Sequence, residues 1–187
     1  MINETYFTTF PQLETERLIL RAATLEDASA LQRIRTNPKV MQYMDTFYHD
    51  TLQVSKDFIS YNLEGYANNN VIYWMLEEKA SGKTIGDFSF WKIDSKHHRA
   101  EIGYTLDPSY WGKGYMKETM LRLFLFGFKD FNLHSLEANI NPKNDKSKGI
   151  LIKLGFQKEA YFRENYFYKG EYLDSEIYCL LERDLIG

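Results

Sequence analysis

Gly112, Lys113, Gly114 and Lys117 are residues whose types and spacing suggest chemistry. They follow the apolar run Ile102 to Leu106 and open a segment with helical spacing. Glycine lets a backbone approach a ligand without a Cβ, and the first turn of a helix leaves its N–H groups unpartnered. Those donors, with the positive end of the helix dipole, favour an anion and above all a phosphate. A second stretch runs from Asn144 to Ser147 and on to Lys153-Leu154-Gly155-Phe156. Local structure explains much of it: Asn144 caps a helix, Leu154 packs and Gly155 supplies a left-handed stop. Its position downstream of a glycine turn is what local structure leaves unexplained.

The elements that must position these residues can be read in order. Met1 to Gln12 reads as a loosely held arm, within a single domain expected over residues 1–187. Thr15 to Ala22 is a first strand. Thr24 and Asp27 form a capping-box pair before Leu25, Ala28, Leu31 and Ile34, which recur at helical spacing until Asn37-Pro38. Thr51 to Asn69 is a second helix. Val71 to Glu78 and Thr84 to Ile93 form a hairpin through Ser81-Gly82, and Arg99 to Leu106 is a further strand. Tyr115 to Phe131 is a helix with Met116, Met120, Phe124, Phe128 and Phe131 on one face. His134 to Ile140 is a strand, Asn144 to Leu154 a helix, and Glu159 to Tyr168 and Glu171 to Leu181 a closing hairpin turning at Lys169-Gly170. The order β-α-α-β-β-β-α-β-α-β-β predicts an α/β fold of α+β type with one mixed sheet.

Composition excludes several classes. A net charge of −3 provides no basic field for nucleic acid, and no apolar run reaches the length of a membrane span. The one cysteine, Cys179, rules out an internal disulfide and fits a reducing compartment, with cytoplasm as the expected location. The histidines have no partners at metal spacing, so no metal is expected.

The two stretches resemble the Gcn5-related N-acetyltransferases, and within them the ribosomal-protein N-terminal acetyltransferase branch. Trp111 to Met116 falls on the family's Q/R-x-x-G-x-G/A coenzyme A loop, and Asn144, Ser147 and Lys153 to Phe156 match its N-x-x-S…K-L-G-F motif. Leu13 to Arg21 looks like the branch's first strand and Ala100 to Tyr104 like its fourth. Gly170 and Asp174 match a G-x-x-x-D spacing in the closing hairpin. Trp111 and Met116 depart from the loop pattern, so Met116 must point away from the phosphates. Leu151 stands where many members carry a Tyr that protonates the leaving thiolate.

The resemblance implies acetyl-CoA as co-substrate and direct transfer of its acetyl group to a primary amine. It implies coenzyme contacts at Tyr104, Thr105, Leu106, Gly112, Lys113, Gly114, Tyr115, Met116, Lys117, Asn144 and Ser147. A main-chain N–H near Leu106 is expected to hold the thioester carbonyl. Ser147 is the expected acid in place of the missing Tyr, with water as the alternative. Glu101 is the expected base: strand alternation puts it on one face with Gly103 and Thr105, between apolar neighbours that would raise its pKa. Its competing reading is an exposed Glu pairing Arg99 or Lys113, and Glu137 is the second base candidate. The acceptor groove is expected along the first two helices, the Lys39 to Asp50 loop and the closing hairpin, where Tyr43, Tyr48, Tyr166 and Tyr168 are candidate rings. A protein N-terminal amine is the expected acceptor. A polyamine, another small amine, or a catalytically silent acyl-CoA sensor are the rivals. A homodimer is compatible with the pattern, which leaves the oligomeric state open.

Overall fold

Eight strands form one mixed sheet in the computed structural model, which describes residues 1–187. They are β1 (Leu13–Glu14), β2 (Leu18–Ala22), β3 (Ile72–Glu78), β4 (Lys83–Asp94), β5 (Arg99–Leu106), β6 (Ser135–Ile140), β7 (Gln157–Tyr168) and β8 (Glu171–Leu181). The helices are α1 (Ala28–Arg35), α2 (Pro38–Met41), α3 (Leu52–Ala67), α4 (Tyr115–Leu125) and α5 (Asp145–Lys153). The spatial order is β1-β2-β3-β4-β5-β6-β8-β7. Only β5 and β6 run parallel.

Helices cover both faces. On one, α4 and α5 bury Met116, Met120, Phe124 and Leu151 against Phe88, Ile102, Leu136 and Ala138. On the other, α1 and α3 bury Leu31 and Ile59 against Tyr73 and Met75. Strand β3 lies between both layers, so Ile72 to Leu76 are all buried and the strand lacks polar alternation.

The parallel pair is short. Its register covers Arg99↔Ser135, Ala100↔Leu136 and Glu101↔Glu137, and then the strands part. The Asp107 N–H donates to the Ile85 carbonyl on β4 at 2.8 Å. Alternation therefore turns the main-chain groups of Thr105 to β4 and those of Tyr104 and Leu106 into the gap.

Four expectations need correction. The arm at residues 1–12 is docked: Ile2 is buried, the Trp74 indole N–H donates to the Pro11 carbonyl at 2.8 Å, and Tyr6, Phe7 and Phe10 pack on the core. Its aromatic residues gain more by burial than the arm loses in chain freedom. The first strand begins at Leu18, because Thr15 Oγ1 accepts from the Leu18 N–H at 2.9 Å and makes a turn that pairs β1 back on β2. Asn37-Pro38 ends α1 but opens the one-turn α2, with Asn37 as its cap. Helix α4 stops at Leu125 and widens into a π-turn over Phe126–Asp130. A Cβ on Gly127 would come 3.1 Å from the Phe90 ring, so glycine lets this wide turn lie against β4.

Candidate active site

The glycine turn sits at the mouth of α4, beside the gap. Gly112 has φ +73° and Gly114, the residue before the helix, φ +83°. A Cβ on Gly112 would meet nothing within 4 Å, so it is the left-handed backbone that calls for glycine there. Met116 is buried in the core, as the motif departure required, and offers the site only its backbone. Lys113 and Lys117 are exposed and neither is in an ion pair. The Tyr115 hydroxyl is turned to Glu78 on β3, donating to Oε1 at 2.5 Å. The turn thus presents N–H groups without main-chain partners and two ammonium groups outside any ion pair, which suits a diphosphate.

Across the gap, α5 begins at Asn144. Its Oδ1 accepts from the Ser147 N–H at 3.1 Å, which caps the helix and leaves the amide Nδ2 as a free donor. Ser147 is buried, with its hydroxyl against the Tyr104 phenol. Burial pushes that phenol up to about 12, so it stays protonated. Leu151 is fully buried and offers no proton. Two of the expected contacts behave differently from the rest. Thr105 turns away from the gap, donating its hydroxyl to Asp87, which pairs with Arg35 at 3.2 Å. The Leu106 carbonyl is taken by the Trp111 indole N–H at 2.8 Å, so Leu106 brings only its N–H. Trp111 also lies under Lys146, whose ammonium is 4.0 Å from the ring centroid. No local spacing marks Trp111 or Lys146; only the fold brings indole, carbonyl and ammonium together.

The opposite face of the gap carries the carboxylates. Glu101 is 7% exposed, and its partner is Lys92 at 2.7 Å, neither Arg99 nor Lys113. Burial raises its pKa, against the pull of Lys92 and with a smaller push from Glu137. Glu137, directly across the parallel pair, takes Arg99 at 2.7 Å. Asn139 is exposed on the same face. Further out, the loop after α2 meets the closing hairpin. The Tyr166 hydroxyl donates to Asp45 at 2.5 Å, and that of Tyr168 to the Thr46 carbonyl at 2.6 Å. Lys169 lies over the Tyr48 ring at 4.9 Å, whereas the Tyr43 hydroxyl meets only its neighbour Gln42. Asp174 has a structural part: it accepts from the Glu164 N–H at 2.8 Å, where β7 bulges.

Comparison with known proteins agrees with this geometry. The family model described as "Acetyltransferase (GNAT) domain" matches residues 17–157. An uncharacterized N-acetyltransferase p20 of Bacillus licheniformis is 36% identical over 179 residues, covering 94% of this chain and 98% of that protein. The spermidine N(1)-acetyltransferase of Escherichia coli K12 is 23% identical over 168 residues, covering 90% and 88%. The solved structure of RimL, a ribosomal L7/L12 alpha-N-protein acetyltransferase in complex with coenzyme A, superposes with a TM-score of 0.79 at 20% identity, covering 89% of this chain and 95% of that one. A family model matched over residues 17–157, through the glycine turn and the open strand edge alike, together with a relative 36% identical over nearly the whole chain, makes this chain an N-acetyltransferase of the Gcn5-related (GNAT) family.

Proposed function

We propose that the chain transfers the acetyl group of acetyl-CoA to a protein N-terminal amine. The observation that carries this reading is the parting of β5 and β6 after Glu101, which opens the Tyr104 and Leu106 main chain beside the turn at Gly112 to Lys117. In this reading the N–H groups of the turn hold the diphosphate. The Tyr104 main chain and Asn144 Nδ2 take the amides of the pantetheine arm. The acceptor nitrogen attacks the thioester carbon from the Glu101 face, while the Leu106 N–H stabilises the oxygen as it gains charge. As the C–S bond breaks, the attacking nitrogen gives its second proton to the Ser147 oxygen and Ser147 passes its own to the thiolate, so that the hydroxyl, oriented by Tyr104, ends as it began.

Glu101 receives the ammonium proton through water. A strand rises about 3.3 Å per residue, so Glu101 lies roughly 10 Å below Tyr104, beyond direct contact. The acceptor face favours a peptide over a polyamine. Glu101, Glu137 and Asp87 are each paired with a cation of the chain, and Asp45 holds Tyr166, so a polycation finds its anions already engaged.

The test is turnover with acetyl-CoA, detecting free thiol, on N-terminal peptides against spermidine. A preference for spermidine would replace the acceptor proposed. Gly114→Glu probes the coenzyme half, since it adds a side chain at positive φ and a like charge beside the phosphates. Coenzyme A affinity should fall sharply by calorimetry, and full affinity would remove the diphosphate from this turn.

A further inference from the structure

Arg17 lies 96 residues before Lys113, at the turn into β2, outside both coenzyme stretches. The fold lays its guanidinium on the glycine turn. Nη1 donates to the Lys113 carbonyl at 2.9 Å, and Nε donates to Glu118 Oε2 at 2.6 Å. The main-chain N–H of Arg17 takes the other Glu118 oxygen at 2.9 Å. The guanidinium carbon stands 4.0 Å from the centroid of the Tyr115 ring, and Nη2 lies 3.4 Å from where a Gly114 Cβ would be.

These contacts have a geometric consequence. A trans peptide is planar, with its C=O and N–H on opposite sides. Holding the Lys113 carbonyl on Arg17 therefore aims the Gly114 N–H away from Arg17. Gly114 frees φ on the far side of this peptide, so the contact with Arg17 supplies a restraint that local sterics lack there. Glu118 adds a second need: its carboxylate sits in the first turn of α4, where it would repel a bound anion. Arg17 engages both of its oxygens.

We propose that Arg17 is a positioning residue of the coenzyme site, which sets the Lys113–Gly114 peptide so that the Gly114 N–H faces the diphosphate and offsets the Glu118 charge. The proposal rests on the reading that Gly112 to Lys117 hold that diphosphate. It is tested by comparing acetyl-CoA with S-acetylpantetheine, which keeps the thioester and amide arm and lacks the diphosphate. Arg17→Met keeps an unbranched side chain at this position and removes the donors and the charge over Tyr115. Its KM for acetyl-CoA should rise about tenfold or more, as fits loss of charge-assisted hydrogen bonds. Its kcat/KM for S-acetylpantetheine should stay within about twofold of wild type. Equal losses on both substrates would reduce Arg17 to a general fold contact. The double variant Arg17→Met, Glu118→Gln should recover only part of the loss; full recovery would leave charge compensation and overturn the peptide-setting role. If Gly114→Glu loses coenzyme while Arg17→Met keeps full affinity, the Arg17 proposal fails alone. If Gly114→Glu binds normally, the diphosphate reading fails instead. Should Arg17→Met not fold, Arg17→Lys carries the same comparison, since a lysine cannot make the fork of contacts.

Discussion

Glu101 shows how a buried carboxylate can be tuned. It keeps a cation at 2.7 Å and still has a raised pKa, because burial outweighs Lys92. A base works only when deprotonated, so the acid limb of the pH–rate profile should lie above the ordinary carboxylate value. Glu101→Gln should lower the rate about a hundredfold and abolish that limb. Because burial raises the folded-state pKa of Glu101, its ionisation weakens folding as pH rises from the unfolded value through the folded one. The variant's Tm at neutral pH should therefore hold or rise. An unchanged profile would pass the proton to Glu137 or to water. Ser147→Ala makes a different demand. It should lower kcat with the KM for acetyl-CoA within a few-fold, and strand the Tyr104 hydroxyl without its partner at a cost of about 1–3 kcal/mol. Adding Tyr104→Phe should restore Tm and leave turnover low. Recovery of turnover would assign Ser147 to structure. The burial of Glu101 and the Asn144 cap on Ser147 were legible, because one lies on an alternating strand and the other in a motif. Arg17, Trp111 and Lys92 were not, since their partners lie on other elements and no local spacing marks them.

Elements were legible where the periodicity was strong. Strands β5 and β8 fall on their expected bounds, because Asp107-Pro108 and Lys169-Gly170 punctuate them unambiguously. Helix α3 begins at Leu52 with Thr51 as its cap, accepting from the Val54 N–H at 3.3 Å. The misreadings of the arm and of α4 share one cause, a tertiary contact that overrides local preference. The apolar stripe from Met116 through Phe131 continues past the end of α4, so periodicity alone extends the helix. Contact between Gly127 and the Phe90 ring favours the wider turn. Thr24 and Asp27 do meet, with the Thr24 N–H donating to Asp27 Oδ2 at 2.9 Å, yet the box opens a 3₁₀ turn at Leu25–Asp27 before α1. Asp27 is also held by Arg21 at 2.7 Å, a constraint from β2 absent from the capping pattern.

Across the whole molecule, mixed-sheet topology followed from element order, and the Lys39 to Asp50 loop meets the closing hairpin through Tyr166 and Tyr168. The docked arm did not, since composition says nothing of where Phe7 and Phe10 find their hollow beside Tyr66. The short parallel pair has a consequence for how the molecule holds together. Strands β1 to β5 and β6 to β8 are two half-sheets stitched by three residue pairs, with helices α4 and α5 bracing one side. That stitch is a fault line, and a coenzyme lying in it would act as mortar. Amide hydrogen exchange should report this directly. The Tyr104 and Leu106 amides should exchange quickly in the free protein and slow markedly with coenzyme A, while those of β3, paired on both edges, stay protected throughout. Equal protection with and without coenzyme would mean that the two halves cohere without it, and that the fault is only a gap.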